Sequence, residues 1–336
     1  MEKILKKLKA QENLNQKEAY QMQEKIISGK VQEKTLLEIF RYFNQKKVTD
    51  MEFSAIVKAT RDKMLKVKVD FDCLDTCGTG GDGLNTFNIS TISAIICAAL
   101  DIPVAKHGNR AASSQCGSAD VLEELGIKVD LDKNQAKRCL DRSGIVFLFA
   151  PNFHPALKFV KQARIKFAKP TYFNILGPML NPVLAKYQLI GINDKSKIEL
   201  MGKTLINTGS KRVMIVYGKN GMDELSVEGE NLIYDFSQNK TKKYSIGLKE
   251  MIGKEFSLTQ IKGGDQKENA KIFLDILNDK ASQAQKAAAC LNAGCALFCF
   301  GKAQNILQGV YLAKRSIEKG KALKKFKQFK KISNAV

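Results

Sequence analysis

Three short segments bring together residue types that handle phosphates and cations. The first is Asp75-Thr76-Cys77-Gly78-Thr79-Gly80-Gly81-Asp82-Gly83. Four of its six positions from 78 to 83 are glycine. Such a run lets several backbone N–H groups point one way, as anion nests require. Asn88-Ile89-Ser90-Thr91 follows and opens an apolar helical stretch, where Ser90 or Thr91 is expected as N-cap and the helix N-terminus adds donors for phosphate. It is neither a G-x-G-x-x-G fingerprint nor a Walker A loop, because no Gly-Lys-Ser/Thr follows. On its own the run could be a tight strand-to-helix turn. The second segment, Lys106-His107-Gly108-Asn109-Arg110, closes the apolar run IPVAKHG, with Lys106 as a point charge for a phosphate. Ser113, Ser114, Gly117 and Ser118 continue it as a small polar loop. The third is Asp223-Glu224, after RVMIVYG and the turn Lys219-Asn220-Gly221. Adjacent carboxylates at a strand end suit magnesium, which takes one or two carboxylates with waters and substrate oxygens. Taken alone the pair reads more readily as the acidic start of a helix, and as a metal pair only if it faces the phosphate site. His154 and Arg164 carry weaker signals, Arg164 as a fork for a substrate carboxylate.

Positioning these segments requires a sheet. From about residue 70, short apolar runs (FDCLDTC, IPVAKHG, IVFLFA, YQLIGI, RVMIVYG) alternate with helical patterns (STISAIICAAL, ADVLEELG, NQAKRCLDRSG). That alternation predicts a mainly parallel α/β sheet, whose ligands bind beyond the carboxyl ends of the strands. NLIYDF and KKYSIGL read as a small antiparallel addition, and 270–300 and 303–331 as long helices. Residues 1–66 read as helices only, with capping-box spacing at Asn15/Glu18 and Thr49/Glu52 and a helix stop at Gly29. The stretch 164–182 holds Pro170, Gly177, Pro178 and Pro182 and breaks the alternation. A chain leaving the sheet there could pack on the N-terminal helices and return. The expected domains are therefore 1–66 with 165–182, all-helical, and 67–164 with 183–336, α/β.

With 336 residues and 44% apolar composition, the chain is long enough for two domains without disulfides or metal staples. Lys plus Arg number 55 against 34 acids, a net charge of +21. Such a charge fits a nucleic-acid partner or a polyanionic small substrate. Only eight of the cations are Arg, the residue that reads bases and phosphates bidentately, so specific nucleic-acid binding is not expected. The densest run, 324–331, reads as the exposed face of a last helix with Phe326 and Phe329 turned inward. Eight Cys without a C-x-x-C pair, and only two His, speak against structural zinc. Cys97, Cys290, Cys295 and Cys299 read as buried thiols. The start MEKILKKLKA has no signal-peptide core, and the longest apolar run, 287–300, is shorter than the ~18 residues a membrane span needs. A cytoplasmic protein without a membrane partner is expected.

The segments DTCGTGGDGLNTFNIST (75–91), KHGNRAASSQCGSADVLEELG (106–126), FHPALK (153–158), FNILGPMLNP (173–182), GMDELS (221–226) and CLNAGCALF (290–298) together resemble anthranilate phosphoribosyltransferases, over nearly the whole chain. The resemblance implies transfer of the phosphoribosyl group of 5-phosphoribosyl 1-diphosphate (PRPP) to the amine of anthranilate, in tryptophan biosynthesis, with Mg2+ as cofactor. It also implies a small helical domain beside an α/β domain, and a homodimer. Carried over by motif, Gly78, Gly81, Asp82, Thr86, Asn88, Ser90, Thr91, Lys106 and Ser118 are implied to contact PRPP. Ser90, Asp223 and Glu224 are implied to contact magnesium, with Lys106, Asp223 and Glu224 as the catalytic set. Asn109 and Arg164 are implied for anthranilate, with Gly78, His154, Gly177 and Pro178 nearby. One departure is Pro170, where the family often has Arg before Thr-x-Phe-Asn. Two other readings compete. A pyrimidine-nucleoside phosphorylase would share the architecture, and a non-catalytic homologue would bind nucleic acid through its basic surface.

Overall fold

The computed structural model describes residues 1–111, 115–238 and 240–336. Ser113 and Ser114 therefore lie outside the described residues. The chain opens with four helices, α1 (Glu2–Lys9), α2 (Gln16–Ile27), α3 (Glu33–Gln45) and α4 (Asp50–Asp62). Both capping boxes form, at Asn15/Glu18 and at Thr49/Glu52. Each such cap contributes roughly 1 kcal/mol. Gly29, just past α2, has φ +69°, the left-handed turn that a Cβ disfavours.

The α/β part runs β1 (Leu74–Gly78), α5 (Ile89–Ala98), β2 (Val104–Gly108), α6 (Ser118–Glu124), α7 (Lys133–Ser143) and β3 (Ile145–Phe149). Helices α8 (Ala150–Phe153) and α9 (Lys158–Phe167) lead away from the sheet, and β4 (Tyr187–Gly191), α10 (Ile198–Asn207) and β5 (Arg212–Tyr217) return to it. The hairpin β6 (Glu230–Ser237) and β7 (Lys240–Gly247) is followed by α11 (Leu248–Ile252), α12 (Gln266–Leu277), α13 (Gln283–Phe300), α14 (Ile306–Glu318) and α15 (Lys321–Ser333). The seven strands form one sheet in the order β3-β2-β1-β4-β5-β6-β7. All pairings from β3 across to β5 are parallel, and β6 and β7 add antiparallel. The expected α/β class and the antiparallel addition both stand.

Two of the expected long helices are divided. Residues 270–300 fall into α12 and α13, and 303–331 into α14 and α15. Asp279 with φ +60° and Gly320 with φ +66° turn the chain at these breaks. Phe326 and Phe329 of α15 are buried, as the i, i+3 spacing predicted.

Two apolar cores lie on the two faces of the sheet. One packs α5, α13, α14 and α15 against β1, β2 and β3. The other joins α1–α4 and α9 to α10 and to Ile190, Val213, Ile215 and Phe236 of the sheet. The helical region thus shares its core with one sheet face. The expected break between residues 164 and 165 falls inside α9, whose Val160 and Ala163 already belong to the helical core. The half-buried Arg61 on α4 straps the two parts: Nε donates to the Met179 carbonyl and Nη1 to the Thr208 carbonyl, both at 2.8 Å. Pro170 is held from α3, where Asn44 Nδ2 donates to its carbonyl at 2.7 Å.

Strand order decides where a ligand can sit. From β1 the chain moves outward to β2 and β3, then crosses back to β4 on the other side of β1. Connections leaving in opposite directions open a crevice at the carboxyl end of β1. The glycine loop begins there.

Candidate active site

A crevice of about 1880 Å³ opens at that switch point, between the carboxyl ends of the strands and the helical region. Its sheet side is lined by Gly78, Gly81, Asp82, Thr86, Asn88, Ser90, Lys106, Asn109, Ser118, Asp223 and Glu224. All three chemical segments therefore meet in one place. Thr91 lies just behind, fully buried in the first turn of α5, with its hydroxyl unpartnered.

The glycine loop keeps its shape through glycines 80, 81 and 83, at φ +70°, +78° and +73°. Its neighbour Gly191, at the end of β4, has no room for a side chain: a Cβ there would collide with the Asp223 carbonyl. That close approach brings the acid pair against the loop. Asp223 Oδ2 accepts from the Gly80 N–H at 2.6 Å, and Glu224 Oε1 accepts from the Ser90 N–H at 2.9 Å. The pair sits in a loop rather than at a helix start, which removes the alternative reading of it.

The expected N-cap at Ser90 or Thr91 is corrected. Helix α5 begins at Ile89, with Asn88 in the cap position and no side-chain cap bond. Asn88 Nδ2 instead donates to the Cys116 carbonyl at 3.1 Å, tying the loop to the segment before α6. The Ser90 amide is thereby left to the Glu224 carboxylate.

Charge on the crevice floor is poorly compensated. Lys106 is buried, and Nζ donates to the Thr76 carbonyl (2.5 Å) and to Ser90 Oγ (3.1 Å). Burial lowers its pKa, and the charge of Asp75 beneath it works in the opposite direction. Burial raises the Asp223 carboxyl to about 7, helped by the charge of Asp82. Glu224 is raised well above the ordinary range by burial and then by Asp223, and its Oε2 has no partner. Two adjacent acids raised by burial, one with an orphaned oxygen, fit a divalent cation. Among the described residues no group of three or more His, Cys, Asp or Glu forms a closed metal site. Two carboxylates completed by water and substrate oxygens are what magnesium uses.

The anthranilate residues divide. Gly78 and Asn109 line the crevice, whereas His154, Arg164, Gly177 and Pro178 are outside its lining. His154 is buried and pairs with His107, Nε2 to Nε2 at 3.1 Å. Burial pushes His107 down to about 3 and His154 down to about 4, so both rings are neutral and weakly basic. Arg164 is exposed on α9, its guanidinium 5.7 Å from the Phe173 ring centre. No carboxylate pairs with it among the described residues. Gly177 opens a short 3-10 turn with Pro178, whose carbonyl accepts from Gln188 Nε2 on β4 at 2.8 Å.

Several lining groups carry no signal that sequence reasoning picks out. Asn44, Lys47 and Lys169 on the helical wall are brought in by tertiary packing alone. Asp75 reads in the sequence only as the start of the glycine motif, yet it is buried beneath the site. It accepts from the His107 N–H (3.1 Å) and from Asn181 Nδ2 (2.8 Å), and burial raises it to about 6. Asn193 also belongs to no motif, although it follows the carboxyl end of β4, where the strand-end rule points.

Known proteins resemble the chain over nearly its whole length. The model of the glycosyl transferase family, a/b domain, matches residues 70–323. The anthranilate phosphoribosyltransferase of Methanobrevibacter smithii is 39% identical over 323 residues, 96% of this chain and 96% of its own length. The crystal structure of anthranilate phosphoribosyltransferase from Thermus thermophilus matches with a TM-score of 0.93 at 32% identity, over 98% of this chain and 99% of that one. The enzyme from Saccharomyces cerevisiae, solved in complex with PRPP and Mg, matches with a TM-score of 0.88 at 25% identity, over 99% of this chain and 98% of that one.

Proposed function

The chain belongs to the anthranilate phosphoribosyltransferase family, and on that premise we infer that it transfers the phosphoribosyl group of PRPP to the amine of anthranilate, releasing diphosphate. The observation that carries the reading is the meeting of glycine loop, Lys106 and Asp223-Glu224 around one crevice at the sheet's switch point. Such a site suits a diphosphate: amides and a buried cation face it from one side, and carboxylates for a cation from the other.

Cleavage of the bond from C1′ to the diphosphate oxygen leaves positive charge on the ribose and negative charge on the leaving group. Lys106, fixed between the Thr76 carbonyl and Ser90 Oγ, holds a cation where that negative charge grows. Donors set before the reaction supply much of such catalysis, because nothing need reorient as charge develops. Asp223, Glu224 and Ser90 would hold magnesium, with Asp82 contributing charge beside them. Held there, magnesium would supply charge screening of the phosphates and Lewis acidity at the leaving group. The glycine loop with Thr86, Asn88, Thr91 and Ser118 cradles PRPP. Anthranilate lies near Gly78 and Asn109, with His154, Gly177 and Pro178 behind and Arg164 reading its carboxylate. An aromatic amine is already neutral at pH 7 and attacks without prior deprotonation. The weakly basic His107–His154 pair is consistent with a reaction that needs positioning more than a base.

The enzyme acts in tryptophan biosynthesis, in the cytoplasm, as a homodimer. No helix among the described residues is long and apolar enough to cross a membrane. The test is the fluorescence of the phosphoribosyl-anthranilate product, followed with and without magnesium. Product must appear only with both substrates, and chelation must abolish it. Phosphorolysis of thymidine or uridine in place of this reaction would overturn the reading in favour of a nucleoside phosphorylase.

A further inference from the structure

The glycine loop does not hold itself in place. Gly80, in the left-handed region at φ +70°, has two peptide groups that could each turn, and each is fixed by a different side chain. Its N–H is bound by Asp223 Oδ2 at 2.6 Å. Its carbonyl accepts from Asn193 Nδ2 at 3.0 Å. We propose that Asn193 is a positioning residue for PRPP: it locks the Gly80–Gly81 peptide so that the loop's amides face the diphosphate.

Three further observations support this. Asn193 follows β4, and the Thr79 N–H donates to the Gly191 carbonyl two residues before it at 3.0 Å, so loop and strand end are already in register. The Asn193 amide nitrogen lies 3.4 Å from where a Cβ on Gly81 would stand, so it rests against the loop at the crevice wall. Its backbone carbonyl lies 3.5 Å from the equivalent point on Gly221, in the turn that delivers Asp223. Asn193 therefore touches both the phosphate loop and the turn bearing the acid pair. A glycine-rich loop without that tether would sample rotated peptides, and each rotation turns a carbonyl oxygen toward the phosphate site in place of an N–H.

The inference rests on the reading of the crevice as a PRPP site. The experiment is steady-state kinetics of Asn193→Ala and Asn193→Asp at saturating magnesium, each substrate varied in turn, with thermal unfolding of the substrate-free proteins alongside. Loss of one neutral hydrogen bond is worth about 1 kcal/mol, or about fivefold. Asn193→Ala should therefore raise the KM for PRPP about three- to tenfold, with the KM for anthranilate and the melting temperature nearly unchanged. Asn193→Asp keeps the shape but sets an oxygen against the Gly80 carbonyl, so the KM for PRPP should rise at least as far. Amide exchange at Gly80 and Gly81 should quicken in both variants. A KM for PRPP within twofold of wild type in Asn193→Ala overturns the proposal. So does an Asp variant that binds PRPP like wild type, or a rise shared equally by both substrates. If wild type itself fails to join PRPP to anthranilate, the reading of the crevice fails instead, and that control separates the two.

Discussion

Replacing Asp223 by Asn should stabilise the substrate-free chain and nearly silence the enzyme. In the fold, burial and then the charge of Asp82 raise Asp223 from 3.8 to about 7. The folded chain thus keeps this proton up to about pH 7, while the unfolded chain loses it near 3.8. Between those values the native state binds more protons, so wild-type stability falls as pH rises from about 4 to about 7 and is level above that. At 1.36 kcal/mol per pH unit, the ceiling of the effect is about 1.5 kcal/mol at pH 5 and about 4 kcal/mol at pH 8. Asp223 is half-buried on the crevice floor, so water screens part of this, and about half of the ceiling is expected. Asn carries no charge, and its Oδ1 can still accept from the Gly80 N–H. Asp223→Asn should therefore gain about 2 kcal/mol over wild type at pH 8 and less than about 1 kcal/mol at pH 5, by urea unfolding in chelator. Magnesium should stabilise wild type and close the gap, while turnover of the variant drops at least about a hundredfold. A variant less stable than wild type at pH 8, or an advantage that does not grow with pH, refutes the electrostatic account. Near-normal turnover at ordinary magnesium refutes the metal assignment.

The buried neutral His pair should make the chain acid-sensitive, because each unfolded His takes up a proton below about pH 6.5 that the fold refuses until about 3 or 4. His154→Gln should remove about 1 kcal/mol of the stability lost between pH 7 and 5.5, read by chemical unfolding at the two pH values. Ala168 closes α9 in the left-handed region at φ +52°, so Ala168→Gly should stabilise by about 1 kcal/mol, and a lower melting temperature would contradict that backbone. Arg164→Ala should raise the KM for anthranilate about ten- to hundredfold and that for PRPP far less, with Arg164→Lys recovering only part. If the PRPP constant rises instead, Arg164 serves a phosphate or the chain's packing. Oligonucleotide binding should be weak and fade between low and physiological salt, and a complex at about 150 mM salt that competes with PRPP would reverse that expectation.

Much of the architecture was legible because its signals are local. The five parallel strands are short apolar runs, and the capping boxes at Asn15 and Thr49 are written within four residues. What failed depended on a competing partner. Asn88 looked unlike the cap because Ser90 and Thr91 are also good cap types, and only Cys116, 28 residues away, draws its side chain off. The break within 270–300 is the short polar segment 278–282, turned by left-handed Asp279, and that within 303–331 is a turn at left-handed Gly320, both inside otherwise apolar-periodic runs. His107 and His154 stand 47 residues apart, and nothing short of β2 pairing with β3 brings them into contact. Asn193 lacked any motif. Its role appears only once β4 lies beside β1 and the loops after each strand meet.

The arrangement around Ser90 explains why the crevice stays ready for a charged substrate. Lys106 and Glu224 would neutralise each other if they touched, and a polyanion would then have to break that pair before binding. Instead Ser90 stands between them. Its Oγ accepts from Lys106, and its amide donates to Glu224. The cation is thus turned to one side of the residue and the carboxylate to the other. Each is held in its buried place against its charged form: burial lowers the pKa of Lys106 and, with the charge of Asp223 beside it, raises that of Glu224. On the proposed reading, a diphosphate at Lys106 and a divalent cation at the acids would relieve that cost of burial. Part of the binding energy for PRPP would then be set aside in the folded chain before either ligand arrives. Removing Ser90's hydroxyl would let the Lys106 ammonium swing toward Glu224, trading affinity for stability.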